Sequence, residues 1–211
     1  MADWSTIASL GTAGGTLVLA FATFGSTRSA NRAARISEEA LMVGLRPVLF
    51  NARPDDRAQK VGFADNHWLR LRDGLAAVQE QDGNVYMAMP LRNVGQGIAV
   101  LHGWYLHPER AGSEVPPGPL EEFRLHMRDL YVPAGDINFW QGAIRDGDDP
   151  LRAPLKAAIA REEGISIELL YGDHEGGQRT ITRFGLNRSA ETGIWFAAGS
   201  RYWYLEGTDP R

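Results

Sequence analysis

From Trp4 to Thr27 the chain carries no charged residue; Asp3 closes one end of this window and Arg28 the other. A bilayer core requires about 20 predominantly apolar residues in a helix, and the window is long enough. Its second half, Leu17-Val18-Leu19-Ala20-Phe21-Ala22, is strongly apolar, whereas Ser5, Thr6, Ser9, Gly11, Thr12, Gly14 and Gly15 dilute the first. In a buried soluble helix Gly11, Gly14 and Gly15 would each cost about 1 kcal/mol against alanine, while membrane helices tolerate glycine. Ala20-Phe21-Ala22 has the small-x-small form of a signal-peptide cleavage site, but no Lys or Arg precedes the apolar run, and a signal peptide wants a basic n-region. The expectation is a transmembrane helix that meets membrane lipids through residues 4–27. Gly11 and Gly15 form a G-x-x-x-G pair, the spacing that lets membrane helices pack closely, including against a second copy of the same chain.

Arg28, Arg32 and Arg35 follow the window directly. The positive-inside rule then places the C-terminal side in the cytoplasm and the short N-terminus outside, as a single-pass protein of the plasma membrane. From Arg28 to Gly44 there is no proline, and Arg35 and Glu39 are four apart on one helical face. The helix is expected to continue as a stalk ending at Gly44. Residues 1–45 are thus read as membrane helix plus stalk, and residues 46–211 as a cytoplasmic domain.

After Arg46-Pro47 the pattern becomes strand-like. Short runs recur between turn residues: Val48–Ala52, Trp68–Leu71, Val85–Leu91, Ile98–His107, Phe123–Val132, Ile137–Ile144, Ile165–Tyr171, Thr180–Leu186, Ile194–Ala198 and Tyr202–Leu205. That spacing predicts a mainly β fold, an antiparallel immunoglobulin-like β-sandwich. One short helix interrupts it: Asp149 can cap it, Leu151 to Glu163 carries it and Gly164 ends it, with Pro154 a complication. Within Leu91-Arg92-Asn93-Val94-Gly95-Gln96-Gly97-Ile98-Ala99, Asn93 can bond its own backbone, and Gly95 and Gly97 permit positive φ, so a kink or bulge is expected. The pattern of neither a P-loop nor a Rossmann turn is present.

Several features together resemble a group of bacterial, actinobacterial-type proteins that are uncharacterised, single-pass and membrane-anchored. These are Arg46-Pro47, the Arg92-Asn93-Val94-Gly95-Gln96-Gly97-Ile98-Ala99 strand end (R-N-V-G-x-G-x-A), Val132-Pro133-Ala134-Gly135-Asp136 before a strand, and Arg201-Tyr202-Trp203-Tyr204-Leu205. The resemblance implies an anchored β-sandwich and carries no catalytic residues with it.

The chemistry available is limited. There is no cysteine, which excludes disulfides, thiolate metal sites and cysteine nucleophiles. A net charge of −4, from 22 Lys+Arg against 26 Asp+Glu, gives no footprint for wrapping nucleic acid. His102 and His107, five apart in one strand, are expected on opposite faces, and His67, His126 and His174 lack metal-ligand spacing. Asp146-Gly147-Asp148-Asp149 lacks the calcium-loop pattern, and Ser189 and Ser200 lack a nucleophile-elbow setting. Trp195, Phe196, Tyr202, Trp203 and Tyr204 are read as a hairpin turning at Gly199-Ser200. The expected function is therefore non-enzymatic, with no cofactor: a membrane-anchored protein-interaction or scaffold module whose protein partner is unidentified. The alternative is a small-molecule or lipid-binding sensor, with a hydrolase third. A deep pocket with convergent polar groups favours the sensor, and a flat exposed apolar patch favours the scaffold.

Overall fold

The computed structural model describes the backbone of residues 4–112 and 114–206, and side chains within that range from Gly14 onward, Met127 excepted. The chain divides into two units, Met1–Gly44 and Leu45–Arg211.

The first unit is one helix, α1 (Trp4–Gly44). Leu17, Val18, Leu19, Phe21 and Phe24 are all exposed on it, and Arg28, Arg32 and Arg35 follow. Among the described residues, no helix is long and apolar enough to cross a membrane. Gly11 and the rest of the first half of the expected span lie outside the described side chains. At Gly15 an added Cβ would meet nothing within 4 Å.

The second unit is built from antiparallel strands. One sheet centres on β5 (Asn84–Asn93), with β8 (Ile137–Ile144) along one edge. The other edge is shared by β1 (Leu49–Asn51) and β4 (Ala77–Gln81). Pro90 sits where that neighbour changes from β1, which ends opposite Leu91, to β4, which begins opposite Ala88. A residue without an N–H is tolerated in a central strand only at such a break. The second sheet has the order β11 (Trp195–Tyr204), β10 (Thr180–Arg188), β9 (Ile165–Gly172), β6 (Ala99–His107), β7 (Arg124–Val132). A hairpin of β2 (Gln59–Gly62) and β3 (Trp68–Leu71) packs Val61, Phe63, Leu69 and Leu71 onto Tyr86 and Ala88 of β5.

The two sheets are layered as a sandwich. Met87, Met89, Leu91, Trp140 and Ile144 of the first meet Leu101, Leu106, Ile167, Leu169 and Phe184 of the second in one buried core. The Tyr171 hydroxyl ties the layers together, accepting from the Leu49 backbone N–H at 3.2 Å and lying 3.0 Å from Thr182 Oγ1. Burial pushes this phenol up to about 12.

Helix α2 (Arg152–Ala160) seals one end of the core with Leu155 and Ala158. Pro154 falls in its first turn, where no N–H finds an intrahelical acceptor. Asp149 accepts from the Leu151 N–H at 3.0 Å. The helix stops before the expected Glu163–Gly164 boundary because Glu162 takes the left-handed conformation at φ 59. The N–H groups of Glu162 and Glu163 close onto the Ile159 and Ala158 carbonyls, a Schellman closure with glutamate at the usual glycine position.

Two bulges correct the sequence reading. The C-terminal aromatics form one strand, β11, not a hairpin. Its register with β10 shifts between Arg183/Phe184, which pair with Arg201 and Gly199, so Ser200 is the extra residue. Trp195 therefore joins the inner core, while Trp203 lies in a separate cluster with Phe123 and Ile181. In β6 the register shifts between Leu101 and Gly103. Ala99, Leu101, Trp104 and Leu106 are buried while His102 and His107 are both half-buried. The odd spacing of the two histidines thus puts them on the same face, because one bulged residue inverts the alternation.

Candidate functional site

The Asn93-Val94-Gly95-Gln96-Gly97 motif clamps the start of the second unit. Asn93 is fully buried at the end of β5. Its Oδ1 accepts from Val48 N–H (3.1 Å) and Gly95 N–H (3.0 Å), and its Nδ2 donates to the carbonyls of Gly97 (2.6 Å) and Val132 (3.0 Å). Neither Gly95 nor Gly97 has positive φ, contrary to the expectation from sequence. They are glycine because the Leu45–Val48 segment passes too close for a side chain. A Cβ at Gly95 would sit 2.7 Å from Val48 N, and one at Gly97 would collide with the Leu45 carbonyl. The motif is a structural lock with every polar group of Asn93 used.

A second polar cluster lies on the outer face of the five-stranded sheet. Glu168 and Arg183 are fully buried partners. The carboxylate also accepts from His107 Nε2 (2.9 Å) and Gly118 N–H (2.8 Å), and the guanidinium donates to the carbonyls of Gly112, Val115 and Pro116. Burial opposes the charge on Glu168, but these donors outweigh it and hold its carboxyl below the usual range. This cluster straps the Pro116-Pro117-Gly118-Pro119 loop down, and its groups are satisfied.

The remaining candidate is a cleft of about 740 Å³ between the β2–β3 hairpin and strands β7 and β8. Strand β7 lines it with Arg124, Leu125, His126, Arg128 and Leu130, and β8 with Phe139, Gln141, Gly142 and Ala143, continued by Arg145. The pairing of β7 with β6 is irregular here, passing from Leu101↔Leu130 to Gly103↔Leu125, so residues 126–129 leave the regular ladder beside the cleft. The hairpin contributes Lys60, Gly62, Phe63 and Trp68. Trp68 is half exposed, and its ring lies across Gly62, where a Cβ would come within 2.7 Å of it.

Among the described residues four cations line this cleft and no carboxylate does. Two of the cations are paired with carboxylates. Arg124 holds Asp149 through both terminal nitrogens (2.6 and 3.0 Å), and Arg145 Nε holds Asp65 at 2.7 Å, with Tyr86 also donating to Asp65. The Arg124 pair lowers the Asp149 carboxyl, and the Arg145 pair holds that of Asp65 far below its ordinary value. The other two have no carboxylate partner among the described residues. Lys60 Nζ lies 4.2 Å from the centre of the Trp68 ring, and Arg128 donates to the neutral Gln141 Oε1 at 2.9 Å. His126 turns a buried Nε2 with no hydrogen-bond partner into this environment. Burial, helped by Arg128 and His102, lowers its pKa to about 4, so the ring is neutral near pH 7.

The sequence reading took His126 only as lacking metal-ligand spacing and passed over Lys60, Trp68, Arg128 and Arg145 as site residues. The alternating basic residues of Arg124-Leu125-His126-Met127-Arg128 were the available signal. Among the described residues no group of three or more His, Asp or Glu is placed to hold a metal ion. No protein-family model matches the chain, and no curated protein matches it.

Proposed function

We propose that this chain is a non-catalytic binding module that holds a small anionic molecule in the cleft between the β2–β3 hairpin and β7–β8. The observation that carries the reading is the charge imbalance. Four cations converge on a concave, partly aromatic surface, while carboxylates compensate only Arg124 and Arg145. The volume falls within the range of small-molecule sites, and a few polar groups set in aromatic walls are their usual make-up. This favours the ligand-binding alternative over a protein-docking scaffold. Cationic walls with low-dielectric surroundings raise the local concentration of anions.

The same proposal keeps the N-terminal helix at the membrane, with the second unit on the cytoplasmic side. Support comes from exposed Leu17, Val18, Leu19, Phe21 and Phe24, which have no apolar cover within the helix itself. Thr23 and Thr27 direct their hydroxyls onto the carbonyls of Leu19 (2.7 Å) and Thr23 (2.9 Å), which satisfies them without water. Arg28, Arg32 and Arg35 would meet anionic headgroups at about 1 kcal/mol each.

The test is titration of the full chain with 8-anilinonaphthalene-1-sulfonate, an aromatic anion whose fluorescence reports binding. The double variant Lys60→Gln/Arg128→Gln is expected to lose a saturable component at least tenfold in affinity while retaining the parent's circular dichroism. Equal titration curves for parent and variant refute the reading.

A further inference from the structure

We infer that the ligand of this cleft is a phosphate monoester carried on a planar ring. The inference rests on the anion-binding reading above and adds the ligand's charge and shape. The four lining cations, Lys60, Arg124, Arg128 and Arg145, bring +4, and Asp149 and Asp65 return −2. A net +2 remains, located on Lys60 of the hairpin and Arg128 of β7. Near neutral pH a phosphate monoester carries close to two negative charges and three acceptor oxygens, whereas a carboxylate or sulfonate carries one. Arg128 donates through Nη2 to neutral Gln141, and a guanidinium carries five N–H donors, so others remain for an oxyanion. His126 Nε2, buried and without a partner, supplies one more neutral hydrogen-bonding atom.

The shape argument comes from the walls. Trp68 lies on the face of β3 opposite the buried Leu69 and Leu71 and is 51% exposed where it lines the cleft, so half of a large indole stays open to a ligand. Phe139 and Phe63 flank the same space. Aromatic faces with nearby cations favour a flat, electron-rich ring over a branched aliphatic body, since the ring can stack on the indole while the cation stays over it. The ring and the phosphate are therefore recognised by different residues, Trp68 by stacking and Lys60 with Arg128 by charge.

Displacement of 8-anilinonaphthalene-1-sulfonate from the full chain reads this directly. Phenyl phosphate is expected to displace the dye at least tenfold more effectively than benzenesulfonate, inorganic phosphate or phenol. Trp68→Ala should reduce phenyl phosphate binding tenfold and leave inorganic phosphate unchanged, and Arg128→Gln should bring phenyl phosphate down to the level of benzenesulfonate. Adenosine 5′-monophosphate separates the sources: displacement matching phenyl phosphate assigns a nucleotide, and phenyl phosphate alone assigns an aryl ring, either upholding the inference. If benzenesulfonate competes as well as phenyl phosphate, the dianion is wrong while anion binding stands. If inorganic phosphate competes as well, the ring is wrong. If the dye binds parent and Lys60→Gln/Arg128→Gln alike, the underlying anion site is absent and the inference falls with it.

Discussion

Replacing Asn93 with alanine strips partners from four backbone groups at once: the N–H groups of Val48 and Gly95 and the carbonyls of Gly97 and Val132. A buried polar group left unsatisfied costs about 1–3 kcal/mol. Water can reach the half-buried Gly95 and Gly97, while Val132 is fully buried. The expected loss is therefore about 3–5 kcal/mol, a large share of the roughly 5–15 kcal/mol that holds a domain together. Asn93→Asp separates packing from hydrogen bonding, because it keeps both acceptances but turns a carboxylate oxygen toward the Gly97 and Val132 carbonyls, 2.6 and 3.0 Å from the present donor. It should be at least as damaging as alanine. The assay is urea unfolding of the full chain followed by far-ultraviolet circular dichroism. Asn138→Ala serves as the control, since its exposed bond to the Tyr131 carbonyl should matter little. An Asn93→Ala loss below about 1 kcal/mol, the worth of one ordinary hydrogen bond, or an aspartate variant more stable than the alanine one, would refute the clamp.

Four further outcomes follow from the same structure. Tyr171→Phe leaves the buried Leu49 N–H without its acceptor, so urea unfolding should show a loss of about 1–3 kcal/mol. Glu162→Gly removes a left-handed non-glycine residue worth about 1–2 kcal/mol and gives up an exposed pair with Arg188 worth at most about 1 kcal/mol, so it should raise the melting temperature where Glu162→Ala does not. His126 has a lowered folded-state pKa, so the unfolded chain binds the extra proton between its ordinary 6.5 and about 4. Stability should fall as pH drops through that window, and His126→Leu should flatten the slope in chemical denaturation at pH 7, 6, 5 and 4. Finally, a reporter active only in the cytoplasm, fused after Arg211, should be active, and Arg28→Asn/Arg32→Asn/Arg35→Asn should give mixed orientation; an inactive reporter on the parent chain contradicts the topology.

Much of the architecture was legible because it rests on alternation. In Ile137–Ile144 the buried Trp140 and Ile144 fall on one face, and Arg46-Pro47 marks the entry to the β domain. Strands β2 and β4 escaped because Gln59-Lys60-Val61-Gly62 and Ala77-Val78-Gln79-Glu80-Gln81 are short and polar, held by pairing with β3 and β5 more than by local preference. The bulges at His102 and Ser200 were invisible for a different reason. An extra residue leaves no compositional mark, yet it reverses which side chains face the core. Glycine is equally ambiguous: at Gly95 and Gly97 it serves close approach, while left-handed positions went to Gly135, Gly176 and even Glu162. The cleft brings Lys60 together with residues beyond position 120, a contact that only the packing of the hairpin creates, although the Arg124, His126, Arg128 row was readable.

The central claim, that the cleft between the β2–β3 hairpin and β7–β8 is the ligand site, is tested most directly by amide chemical shifts of the full chain during titration with phenyl phosphate. The account predicts saturable shifts confined to Lys60, Gly62, Trp68, His126, Arg128 and Gly142, with no response at Asn93 or Glu168. Shifts spread over the Arg28–Arg35 segment or the Gly112–Pro119 loop, or none at the cleft at saturating ligand, would contradict it.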